Sequence, residues 1–136
     1  MTTQTAPTAP VAAITTLLQK FAAADPTMLD LIAADIDFRI DHYRDDADTG
    51  WQVARSLPEL AAVIGRLGQE IFPQGTRALG IDSHALGNGW HLTNFHQRFF
   101  YGLQQREVSS LTHILSHESD GKVDYFRETV TNIVAQ

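Results

Sequence analysis

The chain has no cysteine, which excludes disulfides, thiolate metal sites and cysteine nucleophiles. Lysine is nearly absent as well, with Lys20 and Lys122 the two examples. Sixteen acidic residues stand against 10 basic ones, a formal charge of −6, and no basic run offers a footing for nucleic acid or anionic lipid. No apolar run approaches the roughly 18 residues that a membrane span requires. The opening MTTQTAPTAP has neither a positive region nor an apolar centre, so a secretory signal is not expected. Phosphate-cradling glycine loops, a GxSxG elbow, an H-x-H pair and HExxH are all missing. These absences leave a cytoplasmic protein with no nucleic-acid or membrane partner, no metal and no cofactor as the expectation.

What is present suits one domain. Its 136 residues are 43% apolar, and a chain of that length buries roughly two-thirds of its unfolded surface. Residues 1–10, rich in Thr, Ala and Pro, read as a disordered N-terminal lead-in, leaving 11–136 as the domain. Val11, Ile14, Leu17, Leu18 and Phe21 form a helical stripe. Asp25-Pro26 is a cap followed by a residue suited to a first helical turn, with Met28, Leu29, Leu31 and Ile32 on the short helix beyond. The period then changes to two: Ile36, Phe38, Ile40 and His42 share one face, and Asp35, Asp37, Arg39 and Asp41 the other. Tyr43 to Gly50 is an acidic loop, and Ser56 caps a third helix over Leu57 to Phe72.

Four long strands finish the chain: Thr76 to Leu86, Trp90 to Tyr101, Arg106 to Glu118, and Val123 to Thr131. Asn88-Gly89 and Asp120-Gly121 between them are strong hairpin signals. Helices segregated from an antiparallel sheet define an α+β fold.

This order of elements over about residues 11–134, with the closing Asp120-Gly-Lys-Val-Asp-Tyr-Phe-Arg-Glu128, resembles the NTF2-like superfamily, also called SnoaL-like or cystatin-like. That superfamily ends on a similar D-G-K-I-x-x-W-R-D/E-Y. The resemblance implies a cone, in which three N-terminal helices pack on a strongly curved, mainly antiparallel sheet around an apolar pocket. Many such proteins are dimers. Their activities span isomerases, dehydratases, cyclases, an epoxide hydrolase and non-catalytic binders, so the fold does not give the function. From Asn88 to Lys122 the chain runs in register with limonene-epoxide-hydrolase-like members. There Glu128 takes the place of a catalytic carboxylate. Phe95, Gln97, Phe38 and Ile40 stand where those members carry arginine, aspartate, tyrosine and asparagine. The general base of ketosteroid-isomerase-like members also falls near Ile40, so neither reaction carries over.

On the same register the second long strand turns Phe95, Gln97, Phe99 and Tyr101 into the cone. The third turns in Leu111, His113, Leu115 and His117, and the last Phe126 and Glu128. A simple hairpin at Asp120-Gly121 sets His113 opposite Glu128 and Leu115 opposite Phe126. A carboxylate beside an imidazole in an apolar cavity is equipped for acid–base work, although such a pair is also a common way to satisfy two buried polar groups. Phe38, Ile40, His42 and Trp51 complete the expected pocket, His42 at its mouth and Trp51 as a lid or as core. His113 and His117 are four apart, which on a strand separates them by about 13 Å and gives no metal site.

Two functions compete. One is an isomerase, dehydratase or cyclase acting on a small hydrophobic molecule, with Glu128 as acid or base and His113 orienting it. The other is a non-catalytic small-molecule-binding, accessory or dimerisation module. A homodimer is expected through the outer sheet face, with Trp90, Leu92, Phe100 and Ile114 set among Asn94, His96, Arg98, Ser110 and Thr112.

Overall fold

Ala13–Ala22 forms the first helix, α1, whose Ala13, Ile14, Leu17 and Leu18 are buried in the core. The computed structural model describes residues 11–42 and 51–136, apart from the His42 side chain. The expected lead-in over 1–10 and the acidic loop Tyr43 to Gly50 lie outside the described residues. Ala12 cannot cap α1 with its side chain. The Glu118 carboxylate accepts the Ala13 N–H at 3.0 Å instead, a favourable place for a negative charge and a tie between helix and sheet.

Asp25 accepts the Thr27 N–H at 2.9 Å, as its position before Pro26 suggests. The helix it opens, Pro26–Leu31, is a 3-10 helix and not an α-helix, because the first strand starts at the very next residue and a short connector closes with the tighter turn. That strand, β1, spans Ile32–His42 and buries Ile36 and Phe38 while Asp35 and Arg39 are exposed. A two-residue strand, β2 (Val53–Ala54), is too short to leave a sequence pattern. Helix α2, Leu57–Arg66, begins as expected: Ser56 Oγ accepts the Glu59 N–H at 3.3 Å, and Glu59 reaches back to the Arg55 N–H at 2.8 Å. It continues into a π-helical turn over Leu67–Ile71.

Strands β3 (Thr76–Gly87), β4 (Trp90–Tyr101), β5 (Arg106–Ser119) and β6 (Lys122–Ala135) follow. The sheet has six strands in the order β2-β1-β6-β5-β4-β3, antiparallel throughout except for the parallel β1–β6 pair. This is an α+β fold with a mostly antiparallel sheet. Among the described residues its helical elements are α1, the 3-10 helix, and α2 with its π-helical turn. The two hairpins sit where Asn-Gly and Asp-Gly put them, with positive φ at Asn88, Gly89, Asp120 and Gly121, the backbone a type I′ turn requires. Among the described residues no helix is long and apolar enough to cross a membrane.

The β5–β6 register departs from the simple hairpin. Glu118 pairs with Val123, but His117 pairs with Tyr125, so Asp124 is an extra residue in β6. Its carboxylate is held by His117 at 2.7 Å and by Ser119 Oγ at 3.2 Å. Beyond this bulge Glu128 faces Ile114 and Phe126 faces Ser116, one residue away from the expected partners. A slip of one residue exchanges the two faces of a strand. Thr112, Ile114 and Ser116 are therefore buried, whereas Leu111 and Leu115 turn to the outer face and His113 is exposed.

Candidate ligand cavity and its buried carboxylate

Between the inner face of the sheet and the helices lies a cavity of about 80 Å³. Leu17, Leu18 and Phe21 of α1 line one side, Ile71 and Phe72 close another, and β1, β4, β5 and β6 form the wall. Phe38 and Phe126, neighbours in the parallel register, stack with ring centroids 4.7 Å apart and planes at 18°. Phe95, Phe99 and Tyr101 are buried along β4, with the Phe99 and Tyr101 rings edge to face at 5.8 Å.

Of the residues expected at the pocket, Phe38, Ile40, Phe95, Gln97, Phe99, Tyr101, Phe126 and Glu128 line this cavity. Leu111, Leu115 and His113 do not. The bulge turns them outward, and His113 hydrogen-bonds Asn94 at 2.6 Å on the exposed face, so the expected His113–Glu128 pair does not form. His117 is likewise on the outer face, where Asp124 accepts its Nδ1–H and raises its pKa against the opposing effect of burial. Trp51 packs against the edge of the core beneath the Arg66 guanidinium, 4.1 Å above its ring, and is not a lining residue. The His42 backbone pairs with Val130, and its side chain lies outside the described set. No three His, Asp or Glu side chains converge as a metal site needs, among the described residues.

Among the described residues Glu128 is the one carboxylate lining the cavity. Burial drives its pKa from 4.5 up to about 7, and a hydrogen bond from Thr112 opposes the shift only in part. A carboxyl group in that range is available as acid or as base near neutral pH. The remaining described polar lining is uncharged. Gln97 Oε1 accepts the Thr76 hydroxyl at 2.6 Å, whereas Gln52 Oε1 and the Ser110 hydroxyl are buried with no protein partner. Gln52 carries no signal in the sequence pattern, and Ser110 and Thr112, expected on the outer sheet face, line the cavity instead. A signal for the last two exists, since Ser110, Thr112, Ile114 and Ser116 share one face of β5 at period two and three of the four are small hydroxyl residues.

No family model and no curated protein matches the chain. Solved structures do match it in shape. An NTF2-like protein from Burkholderia thailandensis superposes with a TM-score of 0.67 at 19% identity, covering 87% of each chain. A protein with a cystatin-like fold from Xanthomonas campestris gives 0.70 at 11%, covering 88% of both. A proposed polyketide cyclase from Xanthomonas campestris pv. campestris gives 0.67 at 12%, covering 86% of both. At these identities the likeness establishes the fold: the chain has the NTF2-like, or cystatin-like, architecture.

Proposed function

We propose that the cavity binds a small, mainly hydrophobic molecule and that Glu128 acts on it as acid or base, in a reaction of the isomerase, dehydratase or cyclase kind. The observation that carries this reading is one carboxyl group, alone of its kind among the described lining residues, poised near neutral pH by burial in a cavity whose other described lining is mostly aromatic and aliphatic. Concave, largely apolar sites with few polar groups are the usual small-molecule pockets. The likeness in shape to a proposed cyclase is in keeping with it. Thr112, Ser110 and Gln52 would meet the polar part of the ligand, and His113 has no part in the chemistry.

The test is proton exchange at the α-carbon of cyclohexanone in deuterated buffer, followed by proton NMR at pH 7. The intact chain should accelerate the exchange, and Glu128→Gln should abolish the acceleration while still binding the ketone. A second reading, a binding module without chemistry, is favoured by one observation: among the described residues no cationic side chain and no second carboxylate lines the cavity beside Glu128. Binding of cyclohexanone without exchange would decide for that reading. In both, the protein is a homodimer joined through its outer sheet face.

A further inference from the structure

We infer that Gln52 determines specificity in the cavity, and that the ligand carries a hydroxyl group donating to the Gln52 side-chain oxygen. The inference rests on the reading above, that this cavity is the ligand site. Gln52 is 1% exposed and lines the cavity, yet its Oε1 has no protein partner. An amide oxygen accepts and cannot donate, so a carbonyl, ether or hydrocarbon leaves it unpaired. Buried polar atoms are paired in nearly every case, and the cavity is the space from which a partner can approach.

The position of Gln52 relative to Glu128 is set by the backbone. The Gln52 carbonyl accepts the Ile40 N–H at 3.1 Å, and Ile40 is the β1 neighbour of Glu128. The three residues form one row across the sheet, with Gln52 and Glu128 on either side of Ile40 and two strand spacings, about 10 Å, apart at Cα. Both side chains are long enough to lean over the isoleucine. A ligand resting on Ile40 presents one polar edge to Glu128 and another to Gln52. The other unpaired group among the described cavity-lining residues, Ser110, cannot serve Gln52: it lies four residues along β5 from the Ile114 that faces Glu128. The class that fits is a compact apolar alcohol or phenol, of single-ring size.

Phenol, anisole and toluene distinguish the cases, with affinities measured on the full chain by NMR titration. Phenol is better hydrated than toluene, so with no protein acceptor it binds the more weakly. We expect phenol to bind at least tenfold more tightly than either anisole or toluene. In Gln52→Leu, phenol should lose that advantage while toluene binds as well as before or better. The variant should melt no lower than the parent, because a lone buried acceptor has been replaced by an apolar group of similar shape. Toluene binding with phenol no tighter than anisole overturns the inference and leaves the cavity reading intact. So does an unchanged phenol advantage in the variant. Failure of all three probes to bind overturns the cavity reading and this inference with it. Should Gln52→Leu not fold, Gln52→Met takes its place in the same comparison, and an unchanged phenol advantage there overturns the inference.

Discussion

Glu128 shows how one side chain sets both a possible chemistry and a liability. Its folded pKa of about 7 lies above the ordinary 4.5, so between those values the folded chain holds a proton that the unfolded chain has lost. Stability therefore falls as pH rises from about 4.5 to about 7, by about 3 kcal/mol, and stays level above. Glu128→Gln keeps an acceptor for Thr112 and has no ionisation to suppress. The difference in unfolding free energy, variant minus parent, should grow in favour of the variant between pH 5 and pH 8, read from urea melts. A difference that does not change with pH would mean that the carboxyl group ionises at its ordinary value and is no acid–base candidate. Ser110 supplies a second residue-level test in the same melts. Its hydroxyl is 3% exposed as a residue and has no protein partner, so Ser110→Ala should raise stability by about 1 kcal/mol; a loss of that size would reveal a partner worth keeping.

At the level of elements, the β5–β6 hairpin decides which side chains reach the cavity. Asp124, the extra residue of the bulge, is bonded to His117, and the pair raises the histidine pKa. A histidine with a raised folded pKa stabilises the fold below its ordinary 6.5, and that stability is lost as pH rises through the folded value. Asp124→Ala should therefore cost more stability at pH 5 than at pH 9, and NMR should show His117 titrating lower. Equal losses at both pH values would remove the ion pair from the account of the bulge. The sequence was legible where one pattern ruled. Strict alternation from Asp35 to Asp41 gave the β1 face with Phe38 and Ile40. Phe95, Phe99 and Tyr101 did the same for β4, and the two Gly-containing turns placed the hairpins. On β5 the pattern was ambiguous, because Leu111 and Leu115 lie on the outer face while Ser110, Thr112 and Ser116 lie inside. A bulge settles that parity: Asp124 is the extra residue of β6 between Val123 and Tyr125, opposite the Glu118–His117 step of β5, and no alternation of residue types marks it in the sequence. Gly102 marks a second junction that composition does not reveal. Its N–H donates to the Ile71 carbonyl at 3.1 Å, and a Cβ there would strike the Glu70 carbonyl oxygen. Gly102→Ala should thus cost about 2 kcal/mol, and an unchanged melting temperature would show that the π-helical turn yields freely.

For the molecule as a whole, the unanswered side is the outer face of the sheet. The helices and the cavity occupy the inner face, and no described element covers the other. Correcting the β5 parity removes Ile114, Ser110 and Thr112 from that outer face, since all are buried inside, and puts Leu111, His113 and Leu115 there. Leu92, 39% exposed, pairs directly with Leu115, while Trp90 packs against His117 and Tyr125 at ring distances of 4.8 and 5.3 Å. Around this apolar stripe stand Asn94, His96, Arg98 and Thr129, the mixture of apolar centre and polar surround found at interfaces between subunits. A stable interface takes about 800 Å² from each partner, which the width of β4, β5 and β6 can supply. Light scattering should give a dimer mass at micromolar concentration. Leu92→Asp combined with Leu115→Asp, two charges facing two more across a twofold axis, should give a monomer that still binds toluene, because neither side chain lines the cavity. A parent chain that remains monomeric at every concentration would overturn the dimer, and loss of toluene binding in the monomeric variant would show instead that the cavity keeps its shape only when the outer face is covered.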